Sequence, residues 1–248
     1  MENVKYLAGA GNSFAIGEEL NLTSDIEVIS YVADASFDID GVISVTKDSS
    51  NEASINMEYF NADGSPAELC LNGVRCSARF AFDRNLVDSN IIFINTPSGT
   101  IETEVHSDNT VTSSMDLSNN APISEYSING FTGHYINLGN PHFVIETDDI
   151  SKINIDTIGS EMQRVEKFPS GVNVEFFNKI DNQNISARVY ERGIGETQSC
   201  GSGAIAMYIV INKLNNIYSN LGIRYPGGKL VVRSNNNVVQ LSGEVIYL

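Results

Sequence analysis

The sequence predicts an α/β (α+β) chain built as two pseudo-symmetric domains. Three observations carry that expectation. The stretch Tyr190-Glu191-Arg192-Gly193-Ile194-Gly195-Glu196-Thr197-Gln198-Ser199-Cys200-Gly201-Ser202-Gly203-Ala204 reads as strand, Gly-rich loop and helix start. A weaker copy, Cys70-Leu71-Asn72-Gly73, stands earlier in the chain. Further echoes (Gly11-Asn12 with Gly139-Asn140, Gly41-Val42 with Gly171-Val172, Phe60 with Tyr190) lie at a near-constant offset of 128 to 130 residues. That period is too long for a solenoid and fits duplication of one α/β unit.

The elements follow in order. Val4 to Leu7 and Phe14 to Ile16 are strand-like around the turn Gly9-Ala10-Gly11-Asn12. Ser24-Asp25-Ile26-Glu27 reads as a capping box opening a helix to about Ala35. Val42 to Thr46 and Ser54 to Phe60 are strands; in the second, Ile55, Met57 and Tyr59 alternate with Asn56 and Glu58. Val74 to Phe82 reads as helix. Ile91 to Asn95 and Thr100 to Val105 form a hairpin around Thr96-Pro97-Ser98-Gly99, with Val111 to Leu117 as a further strand. The polar segment Ser118 to Gly130 marks a boundary. After the second helix, from Ala204 to Val210, come strands Ile223 to Tyr225, Leu230 to Arg233 and Val238 to Tyr247, separated by Pro226-Gly227-Gly228 and Asn235-Asn236-Asn237 turns. The expected domains are residues 1–117, joined by the last strand (about 238–248), and residues 118–237.

A chain of 248 residues with 42% hydrophobic residues can build one large core or two smaller ones. Its formal net charge of −16 disfavours nucleic acid and anionic membrane as partners. No apolar run approaches the roughly 20 residues of a membrane span. The opening Met1-Glu2-Asn3-Val4-Lys5 lacks a signal-peptide pattern, so a cytoplasmic chain is expected. The acceptor-like triplets Asn21-Leu22-Thr23 and Asn184-Ile185-Ser186 are then chance matches. Three cysteines (Cys70, Cys76, Cys200) do not make a disulfide framework, and with His106, His134 and His142 they show no metal-ligand spacing. Gly9-x-Gly11 lacks the third glycine and following helix of a dinucleotide fingerprint. No metal and no cofactor are expected.

A cysteine at a helix start meets outward N–H groups and the positive end of the helix dipole, which lowers a thiol pKa toward the reactive range. Duplicated halves would set Cys70 and Cys200 opposite one another, with two helix starts aimed at one anionic group. One thiolate then takes a proton from one face of a carbon while the other thiol returns one to the opposite face. That inverts a stereocentre. The bland alternatives are a non-catalytic anion-binding protein or a thiol-redox protein. Cys76 has Ala206 at its counterpart position and reads as core packing.

Asn61-Ala62-Asp63-Gly64-Ser65 with Cys70-x-Asn72-Gly73-x-Arg75, Gly139-Asn140-Pro141-His142, and Glu191-Arg192-Gly193-x-Gly195-Glu196-Thr197 with Cys200-Gly201-Ser202-Gly203 resemble the diaminopimelate epimerase family over nearly the whole chain. The resemblance implies cofactor-independent interconversion of LL- and meso-diaminopimelate, for lysine and cell-wall synthesis. It implies two halves, each a mostly antiparallel sheet wrapped around a central helix, and commonly a homodimer. By position it makes Cys70 and Cys200 the acid/base pair, and His142 and Glu191 the groups that help deprotonate them. Asn12, Asn61, Asn140, Asn173 and Arg192 line the substrate, while Leu71, Asn72, Gly201 and Ser202 supply helix-start N–H groups. Arg192 suits a carboxylate through a bidentate pair. Asp63-Gly64 reads as a structural turn presenting Asn61. The family usually has Gly where this chain has Leu71, and often Asp where it has Ser13. A racemase of another amino acid, histidine among them, is the alternative that Leu71 raises.

Overall fold

A computed structural model of the chain describes residues 4–22, 24–67, 69–116, 121–215, 219–235 and 238–248. The chain divides into two compact units, Met1–Met115 with Ser242–Leu248, and Asp116–Leu241. The boundaries expected from sequence, at 117/118 and 237/238, adjoin residues outside the described set, as do Thr23 of the first acceptor-like triplet and the Asn236-Asn237 turn.

In the first unit, strands Val4–Gly9 and Asn12–Glu18 pair antiparallel. Their two-residue turn needs positive φ at both Ala10 (φ 51°) and Gly11 (φ 91°), the twist that suits a tight hairpin. Helix α1 (Asp25–Ala33) follows, opened by Ser24, whose backbone N–H donates to the Glu27 carboxylate at 3.1 Å. It ends two residues before the expected Ala35. The chain returns as Gly41–Lys47, parallel to Asn12–Glu18, and then as Ser54–Asn61, antiparallel.

Helix α2 (Leu71–Asp83) carries Val74, Cys76, Ala78, Phe80 and Ala81 into the core of this unit. It packs against six of the surrounding strands. It opens three residues earlier than its apolar run suggests, because buried Asn72 and Gly73 are held by packing despite poor helix propensity. Strand Ile91–Thr96 runs parallel to the start of Ser54–Asn61, and Gly99–Val105 and Thr110–Asp116 add antiparallel partners. The end of Val238–Tyr247 closes the unit, pairing Val245 to Tyr247 with Leu7 to Gly9. Ser242 meets Thr112 through their hydroxyls at 2.7 Å.

The second unit repeats this order. Strands Ser124–Ile128 and Phe131–Asn137 form a hairpin whose first strand and turn lie inside the polar segment, 118–130, read from sequence as a boundary. Pro141–Glu146 is followed by a single 3-10 turn, Ile150–Lys152, and by helix α3 (Ile155–Met162), which begins at Asn154, whose side chain accepts from the Thr157 N–H. Asn173–Lys179 then lies parallel to Pro141–Glu146, and Asn184–Glu191 antiparallel to it. After the short strand Gly195–Thr197 comes helix α4 (Gly201–Asn215). Strands Asn220–Tyr225 and Gly228–Asn235 complete the unit, the first parallel to Asn184–Glu191. Each unit thus contains two parallel crossovers, one over a short outer helix and one over the cysteine-led helix. The core of the second unit gathers Phe143, Ile145, Ile155, Met162, Phe168 and Phe176. Each buried large apolar side chain contributes about 1.5–3 kcal/mol.

Candidate active site

The expected site residues fall into two clusters, one per unit. The first holds Asn12, Asn61, Cys70, Leu71 and Asn72. Cys70 is the last extended residue before α2 (φ −132°, ψ 110°) and is partly exposed, and its carbonyl already accepts from the Val74 N–H. Leu71 takes the first helical position and buries its side chain, so it offers the site its backbone N–H. The Asn72 amide nitrogen donates to Asn12 Oδ1 at 2.5 Å. Its oxygen accepts from the fully buried Arg75 at 2.6 Å. Asn61 lies at the end of its strand opposite Gly41, and its amide nitrogen donates to Ser65 Oγ at 3.0 Å.

The second cluster holds Asn140, His142, Asn173, Glu191, Arg192, Cys200, Gly201 and Ser202. Cys200 immediately precedes α4. Its sulfur accepts from the Gly203 N–H at 3.3 Å and lies 3.4 Å from Ser202 Oγ. Ser202 Oγ itself accepts from the Asn140 amide at 3.1 Å, which leaves its own proton for the sulfur. Asn140 Oδ1 faces His142 Nε2 at 3.0 Å. His142 Nδ1 meets Glu175 Oε1 at 2.6 Å, both side chains fully buried. Glu191 accepts from the Thr197 hydroxyl at 2.5 Å, and its carboxylate lies near the Cys200 thiol. Asn173 has both ends of its amide on backbone: it donates to the Pro141 carbonyl at 3.1 Å and accepts from the Arg192 N–H at 2.9 Å. It therefore holds the Arg192 turn to the His142 turn.

The protonation pattern departs from the expectation for a helix-start cysteine. Burial pushes the Cys200 thiol well above its usual range, and the nearby Glu191 and Glu175 carboxylates push it further. The Ser202 hydroxyl and Gly203 N–H pull the other way and are outweighed. Burial likewise raises Glu191, opposed mainly by the hydrogen bond from Thr197. Without substrate this favours a thiol at Cys200. His142 has both ring nitrogens committed to Glu175 and Asn140, so it organises the cluster and offers no open nitrogen to the cysteine. Cys76 is fully buried, its thiol pushed up to about 12 by burial, as befits a core residue.

The sequence reading missed Glu175 and gave no role to Arg75, which it quoted only as part of the first cysteine motif. The available signals were a lone acid inside the apolar run Val174-Glu175-Phe176-Phe177, and a charge on the inward face of an apolar helix. Tyr225, whose buried hydroxyl donates to the Cys200 carbonyl at 3.2 Å, had no sequence signal. Among the described residues no group of three or more His, Cys, Asp or Glu side chains is arranged to hold a metal ion. No described helix is long and apolar enough to cross a membrane.

Comparison with known proteins gives the family and the fold. A family model described as diaminopimelate epimerase matches residues 6–119 and again 134–247, once per half. A relative named diaminopimelate epimerase from Brachyspira hyodysenteriae is 33% identical over 230 residues, 84% of this chain and 81% of its own. Among solved structures, a phenazine biosynthesis protein of the PhzF family from Enterococcus faecalis superposes with TM-score 0.76 at 16% identity, over 99% of this chain and 96% of its own. A hydroxyproline epimerase from Agrobacterium vitis, with trans-4-hydroxy-L-proline bound, does so with TM-score 0.66 at 10% identity, over 99% and 90%. At those identities the structures show the fold alone. The family model spans both clusters, and with the relative it shows that the chain belongs to the diaminopimelate epimerase family of isomerases.

Proposed function

We propose that the enzyme interconverts LL- and meso-diaminopimelate by a two-thiol mechanism. The observation that carries the reading is the setting of Cys200. Its sulfur lies near the half-buried carboxylate of Glu191, while Gly203 N–H and Ser202 stand ready to hold the thiolate. Cys70 is the matching residue at the start of α2.

In this reading one cysteine, as thiolate, takes the α-hydrogen as a proton, and the electron pair stays on the α-carbon and its carboxylate. Amides at the starts of α2 and α4 stabilise that negative charge as it develops. The other cysteine, as thiol, returns a proton to the opposite face. In the reverse direction the two exchange protonation states. Glu191 receives the Cys200 proton when that residue must act as base. Arg192 takes a carboxylate of the substrate's far end. The thiol pair needs no cofactor for this proton exchange. The same reading makes the enzyme a cytoplasmic homodimer feeding lysine and cell-wall synthesis.

Purified enzyme under reducing conditions, incubated with LL-diaminopimelate in deuterated water, should yield meso product deuterated at the α-carbon. Cys70→Ala and Cys200→Ala should each abolish it. Absence of exchange by the reduced wild-type enzyme would refute the reading. Leu71, in place of the family's usual Gly, motivates a second reading, epimerisation of a different amino acid. A panel of L-amino acids screened for solvent deuterium separates the two.

A further inference from the structure

A buried cation without a carboxylate beside it needs a reason. Arg75 is fully buried on α2, and among the described residues it forms no ion pair. Nη1 donates to the Leu71 carbonyl at 3.3 Å and Nη2 to Asn72 Oδ1 at 2.6 Å. A guanidinium can only donate. Asn72 must therefore turn its oxygen inward, which leaves its nitrogen to face Asn12. Asn12 answers with its oxygen at 2.5 Å. Its own NH2 group is consequently directed away from Asn72, and it has no partner among the described residues.

A second chain in the same unit ends the opposite way. The Asp63 carboxyl is held below its usual range by the Ser65 hydroxyl and N–H. A carboxylate can only accept. Ser65 Oγ spends its proton on Asp63 at 2.6 Å and so accepts from Asn61 Nδ2 at 3.0 Å. Asn61 is left with its oxygen unpartnered among the described residues.

The two asparagines share one face at one end of the sheet. Asn61 pairs with Gly41, Gly41 lies beside Phe14, and Asn12 precedes Phe14 by two residues on the same side of the pleat. They are two strand spacings apart across the sheet and two residues apart along it, about 12 Å in all. We propose that Arg75 and Asp63 are positioning residues that preset opposite polarity in two substrate-facing amides. Asn12 presents a donor, for a carboxylate, and Asn61 presents an acceptor, for an ammonium. The pair reads the two charged groups of a zwitterionic amino acid. This rests on the proposed amino-acid reading only in taking both amides as substrate-facing.

Neutron diffraction from crystals of the full chain in deuterated buffer reads the polarity whether or not the enzyme turns over. The expected result is deuterium on Asn12 Nδ2 directed away from Asn72, and on Asn61 Nδ2 directed at Ser65. An outward oxygen at Asn12, or an outward nitrogen at Asn61, overturns the proposal. The effect on ligand is read with the amino acid that the wild-type enzyme exchanges. Arg75→Lys keeps a donor-only cation and should hold KM within about threefold, whereas Arg75→Met should raise KM about tenfold or more with kcat changed less. An unchanged KM in a folded Arg75→Met overturns it. Where that variant fails to fold, Asn12→Asp, which keeps its acceptor toward Asn72 and turns another outward, should give the same rise in KM, and an unchanged KM there overturns it. If the wild-type enzyme exchanges no amino acid, the proposed function fails while the neutron result still decides the polarity.

Discussion

At Cys200 the helix start and the carboxylates pull in opposite directions, and the carboxylates with burial prevail. In the proposed mechanism the residue rests as an acid and becomes a base when Glu191 takes its proton. Glu191→Gln separates the two effects. Removing the charge should let Cys200 ionise at lower pH, seen as faster iodoacetamide alkylation of that residue at fixed pH by peptide mass spectrometry. The same change removes the proton acceptor and should lower kcat by about a hundredfold, the usual scale of one general acid–base group. The sign is definite: a thiol raised by neighbouring negative charge falls when that charge goes. Slower alkylation in the variant would contradict the account. The nearness of Cys200 and Glu191 was legible in the sequence because they sit in one fifteen-residue stretch. Glu175 was not, because its partner His142 lies 33 residues away and reaches it only through parallel strand pairing. Nor could the sequence reveal that both nitrogens of His142 would be occupied.

The two cysteine-led helices begin alike and pack differently. At Gly73 an added Cβ would lie 3.1 Å from Ile43 Cδ1 and 3.3 Å from Met57 Cε, both flexible side-chain ends. At Gly203 it would lie 2.7 Å from Glu175 Oε1, which is buried and bonded to His142. Gly203→Ala should therefore displace Glu175, cost about 1–3 kcal/mol for the disturbed buried bond, and depress kcat. Gly73→Ala should be nearly neutral, since Ala gains up to about 1 kcal/mol in helix propensity. Denaturant melts with exchange assays on both variants check this, and an equal loss in both would contradict the packing argument. Both helices start about a turn before their apolar runs, since Asn72-Gly73 and Gly201-Ser202-Gly203 are poor helix formers that packing retains. Helix α3 carries too short a pattern, eight residues, to be read from periodicity.

At the scale of the chain, one strand belongs to both units. Val238–Tyr247 starts in the second and ends in the first, where Val245 is buried and pairs with Gly9. Deleting residues 242–248 strips a partner from Leu7 to Gly9 and should lower amide-exchange protection across the first unit, with α4 and its strands keeping theirs. Equal loss in both units would show that they do not unfold separately. The duplication was readable because echoes at a fixed offset survive in turns and loop glycines, where backbone geometry restricts the choice of residue. The last strand's return to the first half could be anticipated only from the lack of an equal tail there.

That returning strand also sets an order of events during synthesis. The second unit is one uninterrupted stretch, Asp116–Leu241, whereas the first is assembled from two stretches that the whole second unit separates. The first unit emerges first yet must wait, with Leu7 and its sheet edge exposed, until the residues that seal it are released. Translation thus finishes the older half last.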